Sequence, residues 1–163
     1  MTAKEKQYWH LLEQVKDPEI PVLSIIDLGI VRAIDIEEKK VNITITPTYS
    51  GCPAMDFIEV NIKSLLQNST TDTIQVNLVL HPAWTTDWIT QSGRNALKKY
   101  GIAPPVQESE DKMVLFAKPT AVACPRCDSM QTKLVSQFGS TACKSLYTCE
   151  TCLEPFDYFK CHS

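Results

Sequence analysis

Six of the seven cysteines in this 163-residue chain lie in its last 40 residues, and four of them pair as Cys124-Pro-Arg-Cys127 and Cys149-Glu-Thr-Cys152. Two such knuckles, separated by 21 residues, present four thiolates to one ion at tetrahedral corners, which is the arrangement of a structural zinc site. Four sulfurs leave no coordination position for water or substrate, so a metal held here shapes the chain and does not catalyse. Cys143 and Cys161 offer alternative ligands, and ligand type alone also admits an iron–sulfur cluster. Without a metal the acids and bases of residues 120–163 balance. Four thiolates around Zn²⁺ add two negative charges.

The seventh cysteine sits apart, in the stretch Thr46 to Ala54, TPTYSGCPA. Gly51 suits a turn, and Pro53 suits a first helical position, where no hydrogen bond is lost. That reading places Cys52 at the helix N-cap, where unpaired N–H groups and the helix dipole favour a thiolate, the form that attacks and binds metal. The same residue types also fit a small buried cysteine that closes a turn. Asp56 and Glu59, just inside the helix, would oppose ionisation.

Other residues have chemistry at hand. Asp17, Glu19 and Asp27, in DPEIPVLSIIDLG, are weaker ligand candidates; they also suit a partner-binding edge, or caps and turns, the commonest use of such acids. Trp84 and Trp88, in HPAWTTDW, are partner-binding candidates, although tryptophans beside proline usually pack inward. His81 alone makes no metal site.

The elements that must hold these residues follow from periodicity. Thr2 and Glu5 have capping-box spacing, and Tyr8, Leu11, Leu12 and Val15 share one helical face, so a first helix runs up to Asp17-Pro18. Ile30, Arg32, Ile34 and Ile36 alternate, as do Val41, Ile43 and Ile45, with Glu-Glu-Lys-Lys between them as a hairpin turn. A second helix from Pro53 to about Asn68 carries Met55, Ile58, Ile62, Leu65 and Leu66 along one side. Ile74, Val76, Leu78 and Leu80 form a third strand, and a last helix runs from Thr90 to Tyr100, ended by Gly101. This order describes an α+β domain, helix–strand–strand–helix–strand–helix, over residues 1–103. Residues 104–119 read as a Pro-rich, acidic linker with one short strand at Met113 to Ala117, and residues 120–163 as the zinc ribbon.

Composition narrows the function. Apolar residues make up 44% and charged residues 21%, with a net charge of −3, as in a globular domain. No segment is basic, which argues against nucleic acid. No run approaches the ~18 apolar residues of a membrane span, and the first ten residues lack a secretion signal. The expectation is a cytoplasmic protein whose cysteines bind metal and do not form disulfides. No Glu-x-x-His pair supports a di-iron centre, the three histidines being scattered. With only five glycines there is no nucleotide-binding fingerprint either. No catalytic residue set stands out.

DPEIP, DLG and TPTYSGCPA together resemble the SufT-like domain of iron–sulfur assembly proteins. With HPAWTTDW, CPRC, FGSTACKSLYTC and EPFDYFKC added, the chain from about Leu11 to Cys161 resembles the PaaD-like component of the bacterial phenylacetyl-CoA epoxidase system. The resemblance implies an accessory, non-catalytic role in aerobic phenylacetate degradation. Such a protein assists assembly of iron–sulfur or di-iron centres, with the oxygenase and reductase subunits as partners and Cys52 handling iron or a cluster transiently. A lone cysteine cannot complete such a coordination sphere, so a homodimer or the client must supply further ligands. The contrasting reading is a non-catalytic structural subunit of the oxygenase complex.

Overall fold

The computed structural model describes residues 1–106 and 121–160. The expected strand at Met113 to Ala117, and Cys161, lie outside the described residues. The chain divides into two compact units, Met1–Gly93 and Arg94–Ser163. The division falls ahead of the boundary drawn at residue 103, because the short strand that follows the last helix pairs within the second unit.

The first unit begins with α1 (Ala3–Leu12), whose capping box is formed: the Thr2 side chain accepts from the Glu5 N–H at 3.1 Å, and Glu5 Oε2 accepts from the Thr2 N–H at 2.7 Å. Such a cap is worth about 1 kcal/mol. The helix ends at Leu12, earlier than the apolar period predicts. Val15 and Asp17 spend their backbone groups elsewhere: Val15 O accepts from Ile25 N at 3.0 Å, and Asp17 N donates to Leu23 O at 3.0 Å. Val15 thus stays buried as part of a short antiparallel bridge between Lys16 and Ser24.

Strands β1 (Val31–Glu37) and β2 (Lys40–Ile45) form the expected hairpin, turning through Glu38 in the left-handed region at φ 49°. Helix α2 (Ala54–Ser69) then crosses to β3 (Thr73–Leu78), which pairs with β2 in parallel. A parallel pair needs such a crossover, whereas the hairpin does not. The sheet is therefore mixed, in the order β1-β2-β3. Helix α1 packs on β1 and α2, and α2 packs on β3. Leu12, Leu23, Ile25, Ile43, Ile45, Ile58, Ile62 and Leu66 between them are fully buried. A register shift between Val31 and Ala33 breaks the alternation read from the sequence. It leaves Arg32 exposed beside buried Val31, with its guanidinium 3.5 Å from the centroid of the Trp88 ring.

Helix α3 (Gln91–Tyr100) leads into β4 (Ile102–Ala103). Gly101 ends the helix at φ +92°, its N–H donating to Lys98 O at 3.0 Å, a left-handed exit that glycine makes without steric cost. The second sheet has the order β4-β7-β6-β5, formed with β5 (Thr132–Ser136), β6 (Lys144–Cys149) and β7 (Pro155–Phe159). Its core is small: Ala103, Val122, Tyr147 and Phe156 with the sulfurs of Cys124 and Cys149. Tyr147 stacks on Phe156 with centroids 5.9 Å apart.

The two knuckles repeat one backbone motif. Cys124 N donates to Ser129 O at 2.9 Å, and Cys149 N to Glu154 O at 3.0 Å. The residue after the second cysteine is left-handed in both, Asp128 at φ 59° and Leu153 at φ 62°. Leucine is strained in that region, and Leu153 is 78% exposed, so its side chain gives little packing in return. Leu153→Gly is expected to raise the stability of the second unit by about 0.5–1 kcal/mol, read as an upward shift in the denaturant midpoint of the zinc-loaded protein.

Candidate functional site

Cys124, Cys127, Cys149 and Cys152 converge, with their sulfurs all within 4.8 Å of one another. Cys124 and Cys152 stand 3.7 Å apart, and Cys127 and Cys149 3.6 Å. Sulfurs held ~2.3 Å from a tetrahedral ion are about 3.8 Å apart, so the four residues fit zinc as they stand. No disulfide joins the six described cysteines. Cys143 lies outside the cluster, buried, with its sulfur 3.1 Å from Thr141 Oγ1, and is thus a core residue rather than an alternative ligand.

Without metal, four thiols this close cannot all ionise. The N–H of Cys152, helped by that of Thr151, draws Cys149 down to about 6. Ser129's N–H pulls the same way on Cys127, but burial and the neighbouring sulfurs prevail and push it up to about 12. A metal must therefore displace protons to bind, and acid must release it.

Cys52 is placed differently from its sequence reading. Helix α2 starts at Ala54 with Pro53 as its N-cap, so Cys52 precedes the cap by one residue. Its N–H donates to Tyr49 O at 3.3 Å, and its carbonyl accepts from Met55 N at 3.3 Å. The thiol is half-buried, and burial pushes it up, in the sense of the buried turn cysteine and not of the thiolate that the sequence also allowed. The Ala54 N–H and the Tyr49 side chain pull it down, whereas Glu19 and Asp17 raise it further. The opposing carboxylates are thus those two, brought from the loop after α1, and not Asp56 and Glu59. Tyr49 is a site residue that sequence reasoning passed over; its place three residues before Cys52 in a tight turn was the available signal. Asp17 is buried and also closes its own turn, its Oδ1 accepting from the N–H groups of Glu19 and Ile20 at 2.8 Å each.

Asp27 and Trp84 hold loops together. Asp27 Oδ2 accepts from Ser24 Oγ at 2.7 Å, and Oδ1 from Thr90 Oγ1 at 2.9 Å. Burial works against its charge, but these bonds prevail and hold its carboxyl below the ordinary 3.8. It thereby ties the DLG loop to the start of α3. At Gly29, φ +67°, a Cβ would lie 2.6 Å from Trp88 O, so only glycine permits the approach. Trp84 is 5% exposed and donates from Nε1 to Leu28 O at 2.8 Å, which withdraws it from any partner surface. Trp88 is half-buried under Arg32.

Because the folded Asp27 carboxyl is depressed, its stabilisation is present above pH 3.8 and is lost as pH falls below that value. Asp27→Asn is expected to lose about 1–2 kcal/mol at pH 7 and to show a smaller further loss than the parent over that acid range. Denaturant midpoints at pH 7 and pH 3 measure both.

Comparison with known proteins matches two separate segments of the chain. Residues 5–78 match the family described as iron-sulfur cluster assembly protein. Residues 108–160 match the PaaD zinc beta ribbon domain. A protein of Escherichia coli K12, named as a candidate subunit of 1,2-phenylacetyl-CoA epoxidase, is 50% identical over 95% of this chain and 92% of its own length. The chain belongs to the PaaD family. Its first unit has wider relatives: the Fe-S protein maturation auxiliary factor SufT of Staphylococcus aureus is 33% identical over 51% of this chain and 96% of its own. The crystal structure of a DUF59 domain from Bacillus anthracis is 32% identical, with a TM-score of 0.56, covering 58% of this chain and 92% of that one. The PaaD family thus joins an α+β domain of the DUF59 fold to a metal-binding ribbon. Among the described residues no helix is long and apolar enough to cross a membrane.

Proposed function

We propose that this chain is a cytoplasmic accessory protein of a phenylacetyl-CoA epoxidase system, which carries iron or an iron–sulfur cluster as cargo to the metal centres of the oxygenase and reductase subunits. Cys52 is the cargo ligand, Asp17 and Glu19 attract the cation, and the zinc ribbon docks the client. The observation that carries this reading is the placement of Cys52 within electrostatic reach of two carboxylates, on the domain shared with iron–sulfur maturation factors. At rest the thiol keeps its proton, because burial and the two acids disfavour a thiolate. The same two negative charges favour an incoming cation, and a cation in turn favours the thiolate. The site is thus quiet when empty and becomes a ligand when cargo arrives. One sulfur from this chain leaves the remaining coordination positions to the client or a second copy, which allows cargo to leave again.

The relative named as part of the epoxidase also supports a non-catalytic structural role in the oxygenase complex. Omission separates the two readings. A purified, fully metallated oxygenase with its reductase is expected to turn over at full rate without this chain. Loss of turnover on omission, restored by adding the chain back, would overturn the accessory reading.

A further inference from the structure

The end of α3 and the first knuckle form a cavity of about 560 Å³ whose lining includes Lys98, Lys99, Tyr100, Pro125 and Arg126, all within the second unit. Three of these side chains are cationic, and no carboxylate is among the lining residues. Asp128 pairs with Lys98. Among the described residues Lys99 and Arg126 have no ion-pair partner, and both are exposed.

Each cation has a local use when taken singly. Lysines in the last turn of a helix offset the partial negative charge of its free carbonyls, which accounts for Lys98 and Lys99. Arg126, between Cys124 and Cys127, offsets the two negative charges of a zinc-loaded cluster. Neither use brings side chains from a helix and a knuckle to the walls of one cavity. Like charges that share a cavity repel, and an anion placed among them relieves that repulsion.

Shape and composition select the anion. Small-molecule sites bury most of their ligand, whereas this cavity opens to solvent past exposed Lys99, Tyr100 and Arg126. An open depression suits a segment of chain that lies across it. Nucleic acid calls for a longer basic stripe, and this chain has a net charge of −3. Arginine takes a carboxylate in a two-pronged pair, and lysine, a point charge on a flexible stem, follows a second carboxylate wherever it falls. Tyr100, 57% exposed, adds an apolar ring with a polar tip, a residue type that interfaces favour.

We propose that this basic cavity is where the ribbon docks its client, and that it takes an acidic segment of the client protein, whose Asp or Glu carboxylates pair with Lys99 and Arg126. The inference rests on the reading that the ribbon docks the client. Exposed ion pairs are individually weak and are screened by salt, so docking of this kind is reversible.

The test is the affinity of the full-length, zinc-loaded protein for the purified oxygenase and reductase subunits. Three double variants are measured beside the parent: Lys99→Gln/Arg126→Gln, the charge-keeping Lys99→Arg/Arg126→Lys, and Lys39→Gln/Lys40→Gln, which removes the same charge from exposed positions of the first unit. Lys99→Gln/Arg126→Gln is expected to bind at least one subunit about tenfold more weakly, the loss of two ion pairs, while the other two variants bind as the parent does. A short polyglutamate peptide should displace the client, and polyglutamine of the same length should not. Where Arg126→Gln lowers the zinc content, Lys99→Glu takes its place, since Lys99 lies outside the knuckle. Equal binding by the parent and the cavity variant overturns the site while docking itself stands. An equal loss in Lys39→Gln/Lys40→Gln assigns the effect to net charge and overturns it too. Displacement by oligothymidylate but not by polyglutamate overturns an acidic protein segment as the occupant. A parent that binds neither subunit overturns the docking reading, and the inference with it.

Discussion

Removing the metal of the four-cysteine cluster with a chelator is expected to unfold the second unit and to leave Met1–Gly93 folded. The second unit has few buried apolar groups, and two of the members of its core are Cys124 and Cys149 themselves. A core of this size does not offset the entropy of ordering its strands. The ion that draws four sulfurs together supplies the difference, on the order of 10 kcal/mol in comparable small zinc folds at neutral pH. Hydrogen exchange before and after chelation measures the effect element by element. Amides of β5, β6 and β7 should lose protection, while those of β1, β2 and β3 keep theirs, since the first sheet is buried by Leu12, Ile43, Ile58 and Ile62 without any ligand sulfur. Protection of β6 that survives chelation would mean that the Tyr147–Phe156 packing suffices alone. Acid should mimic the chelator, because protons compete with zinc for thiols as unlike as Cys149, drawn to about 6, and Cys127, pushed to about 12.

Cys52→Ser is expected to abolish growth on phenylacetate in a strain that makes normal amounts of folded protein. The exchange keeps the shape of the side chain and removes the only sulfhydryl described in the first unit. Its stability cost is small, within about 0.5–1 kcal/mol for a half-buried position. A total loss of function with a parent-like melting curve therefore reports chemistry at sulfur. Undiminished growth would show that the sulfur carries nothing.

The two knuckles were the most legible part of the molecule in the sequence, because four cysteines at fixed spacing admit few geometries. The strands and three helices were nearly as plain, since period-2 and period-3.6 patterns alternate from Tyr8 to Tyr100, whereas the parallel pairing of β3 was not, the strand order fitting an antiparallel or a mixed sheet alike. The irregular parts stayed hidden for physical reasons. The bulge at Val31–Ala33 shifts register without leaving a mark in composition, so Arg32 looked like part of the inward set. The early end of α1 depends on backbone bonds between Val15 and Ile25 and between Asp17 and Leu23, which local propensity does not register. At Cys52, the local signals were divided, proline and helix dipole favouring a thiolate, and the small buried cysteine of a turn fitting equally. The outcome was decided by burial and by Glu19 and Asp17, more than thirty residues away in the chain. Tertiary electrostatics of that kind is absent from any single stretch. Asp27 and Trp84, weighed as a ligand and a partner surface, take the capping and inward-packing roles that the sequence reading named as the commoner ones.

The most direct test of the account is the rate at which iron enters the metal-free oxygenase without oxygen, measured with iron-loaded parent protein, with Cys52→Ser treated identically, and with free ferrous iron at equal concentration. The account predicts that the parent delivers iron faster than free iron does, and that Cys52→Ser gives no acceleration. Equal rates for parent and variant would contradict it, since delivery would then not pass through the sulfur of Cys52.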